Sequence, residues 1–277
     1  MTTVGIATGA GRGMGLACAR RLTELVDTLL LVDRDELAVT AAAKELAAAE
    51  PEIEIQPFVL DITDTAGLAQ LAAHVAESGT LRAVSHAAGI SPTMADWRRI
   101  FEVDLVGTAR LAEALRPLAT AGTALVCFAS MAPLLGNLEA DPAVGAILDD
   151  PLQEGFLDRL HDALGPAVEN TGLAYAWAKH GVHRFVRREA VRLGPYGARA
   201  CSVSPGVIDT PQGRREALAQ PAMAALVEQT PLGRMGRAED VAAAVAFLLS
   251  EEAAFISGID VLVDGGVYAA VRERAGR

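Results

Sequence analysis

Tyr175 and Lys179 stand four residues apart in Tyr-Ala-Trp-Ala-Lys. On a helix that spacing brings both side chains to one face. A free phenol loses its proton near pH ~10, too high for a base at neutral pH. A neighbouring ammonium favours the phenolate and lowers that value. Such a pair can exchange a proton with a carbinol while a nicotinamide exchanges the hydride. A Tyr and a Lys at this spacing are common on helices, so the pair needs company. Ser130 supplies some, because it closes a strand-like run and ligands of open α/β sheets bind at strand carboxyl ends.

A second cluster lies at the start of the chain. Thr8-Gly9-Ala10-Gly11-Arg12-Gly13-Met14-Gly15 follows a strand-like run and opens a helix-like one. In that setting the glycines permit a tight turn and let a pyrophosphate approach backbone N–H groups at a helix N-terminus. Asp33 ends the next strand-like run, 20 residues after Gly13. A carboxylate there accepts hydrogen bonds from the adenosine ribose and repels a 2′-phosphate, so NAD is expected over NADP. Arg12 and Arg34 pull the other way, since either can neutralise a phosphate.

The elements that must position these residues are legible as alternating runs. Strand-like segments cover 4–7, 28–32, 53–59, 82–86, 124–129, 199–203 and 260–263. Amphipathic stretches cover 13–25, 36–49, 65–77, 97–115, 175–193 and 239–249. Strand-then-helix alternation predicts an α/β fold, a mostly parallel seven-stranded sheet with helices on both faces. The seven runs account for nearly all of residues 1–277, which reads as one domain without internal repeats.

Residues 131–172 break the rhythm with Pro133, Gly136, Pro142, Pro151 and Pro166 and no strand-like run. Within them, apolar residues at 156, 157, 160 and 164 predict a short helix over 156–164. Leu134, Leu135, Leu138, Phe156, Leu157 and Leu160 are too apolar to leave in water, and the expectation is that they wall a ligand pocket. Residues 212–231, rich in Pro, Gly and Ala, are expected to form a movable cover.

Composition excludes several classes. The 277 residues are 51% hydrophobic and 21% charged, which suits a packed globular domain rather than a disordered one. A net charge of −11 without a basic run argues against nucleic acid as a partner. No apolar run approaches the ~18 residues of a membrane span, and the N-terminus shows no export signal. Cys18, Cys127 and Cys201 are odd in number and widely spaced, which fits neither a disulfide framework nor a metal site. Buried free thiols in a cytoplasmic protein are expected.

Taken in order along the chain, these motifs resemble the classical short-chain dehydrogenase/reductase family. The resemblance rests on Thr8-Gly9-x-x-x-Gly13-x-Gly15, Asp61 after the third strand and Ala87-Ala88-Gly89 after the fourth. It continues through Ser130, Tyr175-x-x-x-Lys179, Pro205-Gly206-Val207-Ile208-Asp209-Thr210 and Asp264-Gly265-Gly266. It implies a Rossmann-type, doubly wound sheet with Tyr175 as the acid/base. Lys179 would lower the tyrosine pKa and bind the nicotinamide ribose, and Ser130 would hydrogen-bond the substrate oxygen. Asp61 with Ile62 would hold the adenine, and Ile208 with Thr210 would meet the carboxamide. Met14, Ala87, Ala88, Gly89, Pro205 and Gly206 would line the dinucleotide. For Asp61 and Thr210, capping a following helix is the competing role.

Three departures from the family pattern stand out. His86 replaces the usual Asn and is expected to be structural. Asp104, in Val103-Asp104-Leu105-Val106-Gly107, replaces the helix Asn that supports a water-linked proton relay. An acid there can still hold the water but, if ionised, opposes Lys179. Ser130 and Tyr175 are 45 residues apart, which resembles the insertion of bacterial 3α-hydroxysteroid dehydrogenase/carbonyl reductases and implies a hydroxysteroid or other bulky carbonyl substrate. The expected function is NAD(H)-dependent interconversion of a secondary alcohol and a ketone by a homodimer or homotetramer. The alternative is a non-catalytic dinucleotide-binding sensor or assembly protein of the same fold.

Overall fold

The computed structural model describes residues 2–138, 142–219 and 221–275. Its strands are β1 (Thr3–Thr8), β2 (Thr28–Asp33), β3 (Glu54–Val59), β4 (Thr80–His86), β5 (Ala124–Phe128), β6 (Arg199–Pro205), the short β7 (Ile208–Asp209) and β8 (Gly236–Arg237), and β9 (Asp260–Val263). Seven of them form one sheet in the order β3-β2-β1-β4-β5-β6-β9, parallel throughout, while β7 and β8 pair separately. All seven strand-like runs in the sequence are strands of that sheet. β5 and β6 are buried along their whole length, as expected of central strands covered on both faces.

The sheet separates two apolar cores. On one face α1 (Gly13–Leu22) and α2 (Glu36–Ala49) bury Cys18, Leu22, Val39 and Leu46. On the other lie α3 (Thr65–Ser78), α4 (Trp97–Phe101) and α5 (Thr108–Leu115). The stretch expected as one helix over 97–115 is interrupted by a π-helical turn, Glu102–Gly107, which carries Asp104. Such turns recur at functional positions in helices. The chain order reverses between β1 and β4, and a ligand crevice forms at the carboxyl ends of strands flanking such a switch point.

The insertion folds as α6 (Ala132–Leu135), α7 (Pro142–Leu148) and α8 (Phe156–Leu164), and residues 139–141 lie outside the described residues. The helix over 156–164 forms as expected, but it does not wall the crevice. Its buried Phe156 and Leu160 join Val144, Leu148 and Val168 against α4 and α9 (Thr171–Leu193). Phe156 meets the Phe101 ring edge-on at 6.2 Å, and His161 lies 5.5 Å from the Trp97 ring. Arg98 bonds Asp158 at 2.8 Å, and Arg184 grips Asp149 with two bonds of 2.8 and 2.9 Å. Of the six apolar side chains expected at the pocket, only Leu135 lines the crevice among the described residues. The physical reason is competition for apolar surface. Trp97 and Phe101 present an aromatic face that α8 covers, and burying it is worth more than rimming a water-filled mouth.

The remaining helices are α10 (Pro211–Ala219), α11 (Pro221–Gln229), α12 (Ala238–Leu249) and α13 (Val267–Ala275). The expected cover at 212–231 is thus helical, with residue 220 outside the described residues. α12 packs beside α1 on the first core.

Candidate active site

The crevice, about 450 Å³ in volume, runs from the β2 end to the covering helices. Its floor begins at the glycine turn. Gly9 has φ +64°, and a Cβ there would sit 2.9 Å from the Ala88 amide nitrogen. A Cβ at Gly15 would lie 2.1 Å from the Gly9 carbonyl oxygen. A side chain at either position would collide with that backbone, so the two glycines let β1, the turn and α1 pack closely beneath the crevice. The N-cap of α1, Arg12, makes no side-chain cap, and the first turn holds no acid. The unpaired N–H groups of that turn, with the positive end of the helix, suit a pyrophosphate.

Asp33 lies beside this turn. Its carboxylate accepts hydrogen bonds from the Gly11 N–H at 2.9 Å and the Asp35 N–H at 3.0 Å. These bonds fix its orientation and leave lone pairs for ribose hydroxyls. Arg12, Met14 and Arg34 also line the crevice. Arg12 is paired with Asp35, while Arg34 is exposed.

Asp61 and Ile62 also line the crevice, beyond the end of β3. Asp61 Oδ1 accepts from the Thr63 N–H at 2.9 Å and hydroxyl at 2.7 Å, and its Oδ2 accepts from Arg99 at 2.7 Å. Burial raises its pKa, but the Thr63 bonds and Arg99 outweigh this and hold the carboxyl below its ordinary range. Asp61 caps no helix, since Asp64 caps α3. Thr210 both lines the crevice and caps, accepting from the Gly213 N–H at 3.0 Å. Ala87, Ala88 and Gly89 form one wall, and Pro205, Gly206 and Ile208 form the facing one.

His86 is structural, and its hydrogen bonds set its tautomer. Thr108 donates to the Asp104 carbonyl at 2.8 Å, so it accepts from His86 Nε2 at 2.9 Å. His86 Nδ1 therefore accepts from the Thr8 hydroxyl at 2.8 Å, which itself accepts from the Ala88 N–H at 3.1 Å. Burial, with Lys179 nearby, pushes the His86 pKa down to about 3 and keeps the ring neutral. This chain ties β1 and β4 to the turn that holds Asp104.

Tyr175 and Lys179 project from α9, which starts four residues before the tyrosine and is capped by Asn170 accepting from the Leu173 N–H at 3.0 Å. Ser130, two residues beyond β5, lines the crevice with Tyr175 and accepts from the Ala132 N–H at 3.2 Å. Buried Lys179 donates to the Phe128 carbonyl at 3.0 Å, and its Nζ lies 5.6 Å from the Tyr175 ring centre. Asp104 is fully buried. Its Oδ1 accepts from the Ile90 N–H at 2.8 Å, while Oδ2 lies 3.8 Å from Lys179 Nζ with no hydrogen-bond partner. Burial pushes the Asp104 pKa up, against the pull of Lys179 and the Ile90 bond.

Burial, and then the Asp104 charge, push the Tyr175 pKa above its ordinary value, with Ser130 opposing; Asp104 acts in the direction expected of an ionised acid beside Lys179. An anion beside the lysine cancels much of the field that would favour a phenolate. The structure also brings in Glu216 of α10, which lines the crevice with Ser91 near enough to act on its carboxyl. Nothing in the sequence marks Glu216, since one acid on a surface helix is ordinary.

Comparisons with known proteins show which family the chain resembles and which fold it shares. The family model described as enoyl-(acyl carrier protein) reductase matches residues 9–145 and 163–268 and leaves 146–162, within the insertion, unmatched. The cis-4-hydroxycyclohexanecarboxylate dehydrogenase of Sinomonas cyclohexanicum is 32% identical, covering 97% of this chain and 97% of its own. The cyclohexanol dehydrogenase of Acinetobacter sp. (strain SE19) is 31% identical, covering 95% and 92%. A solved short-chain type dehydrogenase/reductase from Mycobacterium ulcerans superposes with a TM-score of 0.76 at 25% identity, covering 97% of this chain and 90% of that one. Among the described residues, no helix is long and apolar enough to cross a membrane.

Proposed function

The chain belongs to the classical short-chain dehydrogenase/reductase family, and from that premise we propose that it oxidises a secondary alcohol to a ketone, reversibly, with NAD(H). That it is an oxidoreductase of alcohols using a nicotinamide dinucleotide follows from the family. The observation that supports the specific reading is Tyr175 and Lys179 one helical turn apart on α9, lining a single crevice with Ser130 beside the glycine turn.

In this reading Ser130 and the Tyr175 hydroxyl hold the substrate oxygen between them. Tyr175 removes its proton in oxidation and returns it in reduction. When bound, the nicotinamide accepts or supplies the hydride. Lys179 steadies the charge at the phenol and faces the ribose, and Asp104 and the Phe128 carbonyl position its ammonium. Asp33 favours NAD, and the engagement of Arg12 with Asp35 leaves less positive charge for a 2′-phosphate. The covering helices α10 and α11 act as the lid. Relatives named for six-membered ring alcohols support a compact cyclic alcohol as substrate. A hydroxysteroid loses its main support, because the insertion packs against α4 and α9.

The same packing bears on assembly. Helices α7 and α8 cover part of the α4 and α9 surface, whereas β9 is an edge strand with exposed Phe255 and Ile259 nearby. We infer a homodimer through the β9 edge. Three buried free thiols suit a cytoplasmic setting.

Purified protein given NAD and a panel of secondary alcohols, cyclohexanol included, should produce NADH. Binding of NADH without turnover of any alcohol or ketone would instead establish the sensor reading. The direction of the Tyr175 shift yields a further expectation. A nearby anion raises a phenol pKa, so Asp104→Asn should move the pH at which alcohol oxidation rises to a lower value. The Ile90 N–H can still bond the amide oxygen. Lys179, Ser130 and Glu216 remain as the other groups acting on the site. A pH profile of kcat that stays in place or moves up would show that Asp104 does not bear on the tyrosine.

A further inference from the structure

We infer that Glu216 sets substrate choice in this crevice, accepting a hydrogen bond from a second hydroxyl of the substrate and excluding substrates that place a carboxylate there. The inference rests on the dehydrogenase reading above and names the substrate class that site takes, a neutral diol or polyol.

The placement of Glu216 carries the argument. Residues 207–216 form a tight unit. Thr210 Oγ1 accepts from Gly213, a Cβ at Gly213 would lie 2.2 Å from the Ile208 carbonyl oxygen, and Arg214 bonds Asp209 at 2.6 Å. This unit turns the Glu216 side of α10 toward the crevice, where it is partly buried. The surrounding wall is largely apolar, with Pro92, Met94, Leu135, Val207, Met223 and Leu226. A carboxyl in such a wall needs partners. Buried Ser91 is near enough to act on it, and a carboxylate has lone pairs for a further donor.

The charges nearby set the sign. Glu216 lies close enough to Asp104, Lys179 and Tyr175 for their charges to interact. Burial pushes its carboxyl up, Asp104 adds to this, and Ser91 and Lys179 oppose. Glu216, which lines the crevice, and Asp104, buried beneath its wall, therefore act on one buried ammonium, Lys179. An incoming carboxylate would add a third negative charge in a poorly solvated space. An incoming hydroxyl instead donates to an acceptor already in place. Arg215 also reaches the crevice, but it is exposed and its Nε bonds the Pro211 carbonyl at 3.2 Å.

The test compares kcat/KM with NAD for cyclohexanol, 1,2- and 1,4-cyclohexanediol and cis-4-hydroxycyclohexanecarboxylate. Each protein is read as ratios to cyclohexanol, so that its active fraction cancels. Wild type should favour the better diol by about tenfold and disfavour the carboxylate by at least about tenfold, the usual scale for matched or mismatched polar groups. Glu216→Gln, which keeps the shape and removes the charge, should raise the carboxylate ratio about tenfold. Glu216→Leu should erase the diol preference. A wild type that uses the carboxylate as well as cyclohexanol, or variants whose ratios match wild type, would overturn the assignment of Glu216. If wild type binds NADH yet turns over none of these substrates, the dehydrogenase reading fails first and this inference with it.

Discussion

Tyr175→Phe is expected to lower kcat by about 10³-fold, within the range for losing a positioned acid/base. NADH affinity should stay within about threefold, because the substitution removes one oxygen and keeps the ring. The ring still packs beside Lys179, and Ser130 keeps the bond it accepts from Ala132. The lost atom is the hydroxyl of a crevice-lining side chain, which would meet the substrate oxygen. Turnover by steady-state assay and NADH affinity by fluorescence, measured on one preparation, decide the matter. A pure variant that turns over at the wild-type rate would remove Tyr175 from the mechanism.

Asp33→Ala should have the next largest effect, and on a different quantity. Charged hydrogen bonds are worth about 1.5–3 kcal/mol each, so losing those to the ribose should cut kcat/KM for NAD by about 10²-fold. The figure for NADP should fall much less or rise, since the like-charge repulsion goes too. Part of the loss will come from the Gly11 and Asp35 N–H groups, which lose the acceptor that shapes the turn. Asp33→Asn separates the two effects, because its amide oxygen still accepts a hydrogen bond without carrying charge. A wild type that prefers NADP would show that Arg12 or Arg34 overrides the carboxylate.

Much of the site was legible because its signals are local. The glycine turn is a run of eight residues between a strand and a helix, and only one backbone path fits it. Tyr175 and Lys179 are a single helical turn apart, so their shared face follows from the spacing. Ser130 and Asp33 lie at strand ends, and the carboxyl ends of parallel strands converge on one edge of the sheet. Some parts were not legible. The π-helical turn at 102–107 looks helical in any window of apolar periodicity, and helices α7, α10 and α11 lie in stretches punctuated by Pro and Gly. The role expected of Lys179 was incomplete because the field at Tyr175 depends on every charge near it, Asp104 and Glu216 included.

By itself, then, the sequence determined the sheet, its parallel sense, the dinucleotide cradle and the positions of Ser130, Tyr175 and Lys179. Each of these depends on residues close together in the chain or on a repeating apolar pattern. Tertiary structure alone decided where the insertion goes and which charges share the active site. The amphipathic helix 156–164 has one apolar face, and that face could equally cover a pocket or a neighbouring helix. Contact with Trp97 and Phe101, 64 and 55 residues before their partners His161 and Phe156, settled it. In the same way Asp104 faces Lys179, and both charges act on Glu216, across large gaps in sequence. Burial and Coulomb interactions act through space, and their partners are known only once the chain has packed.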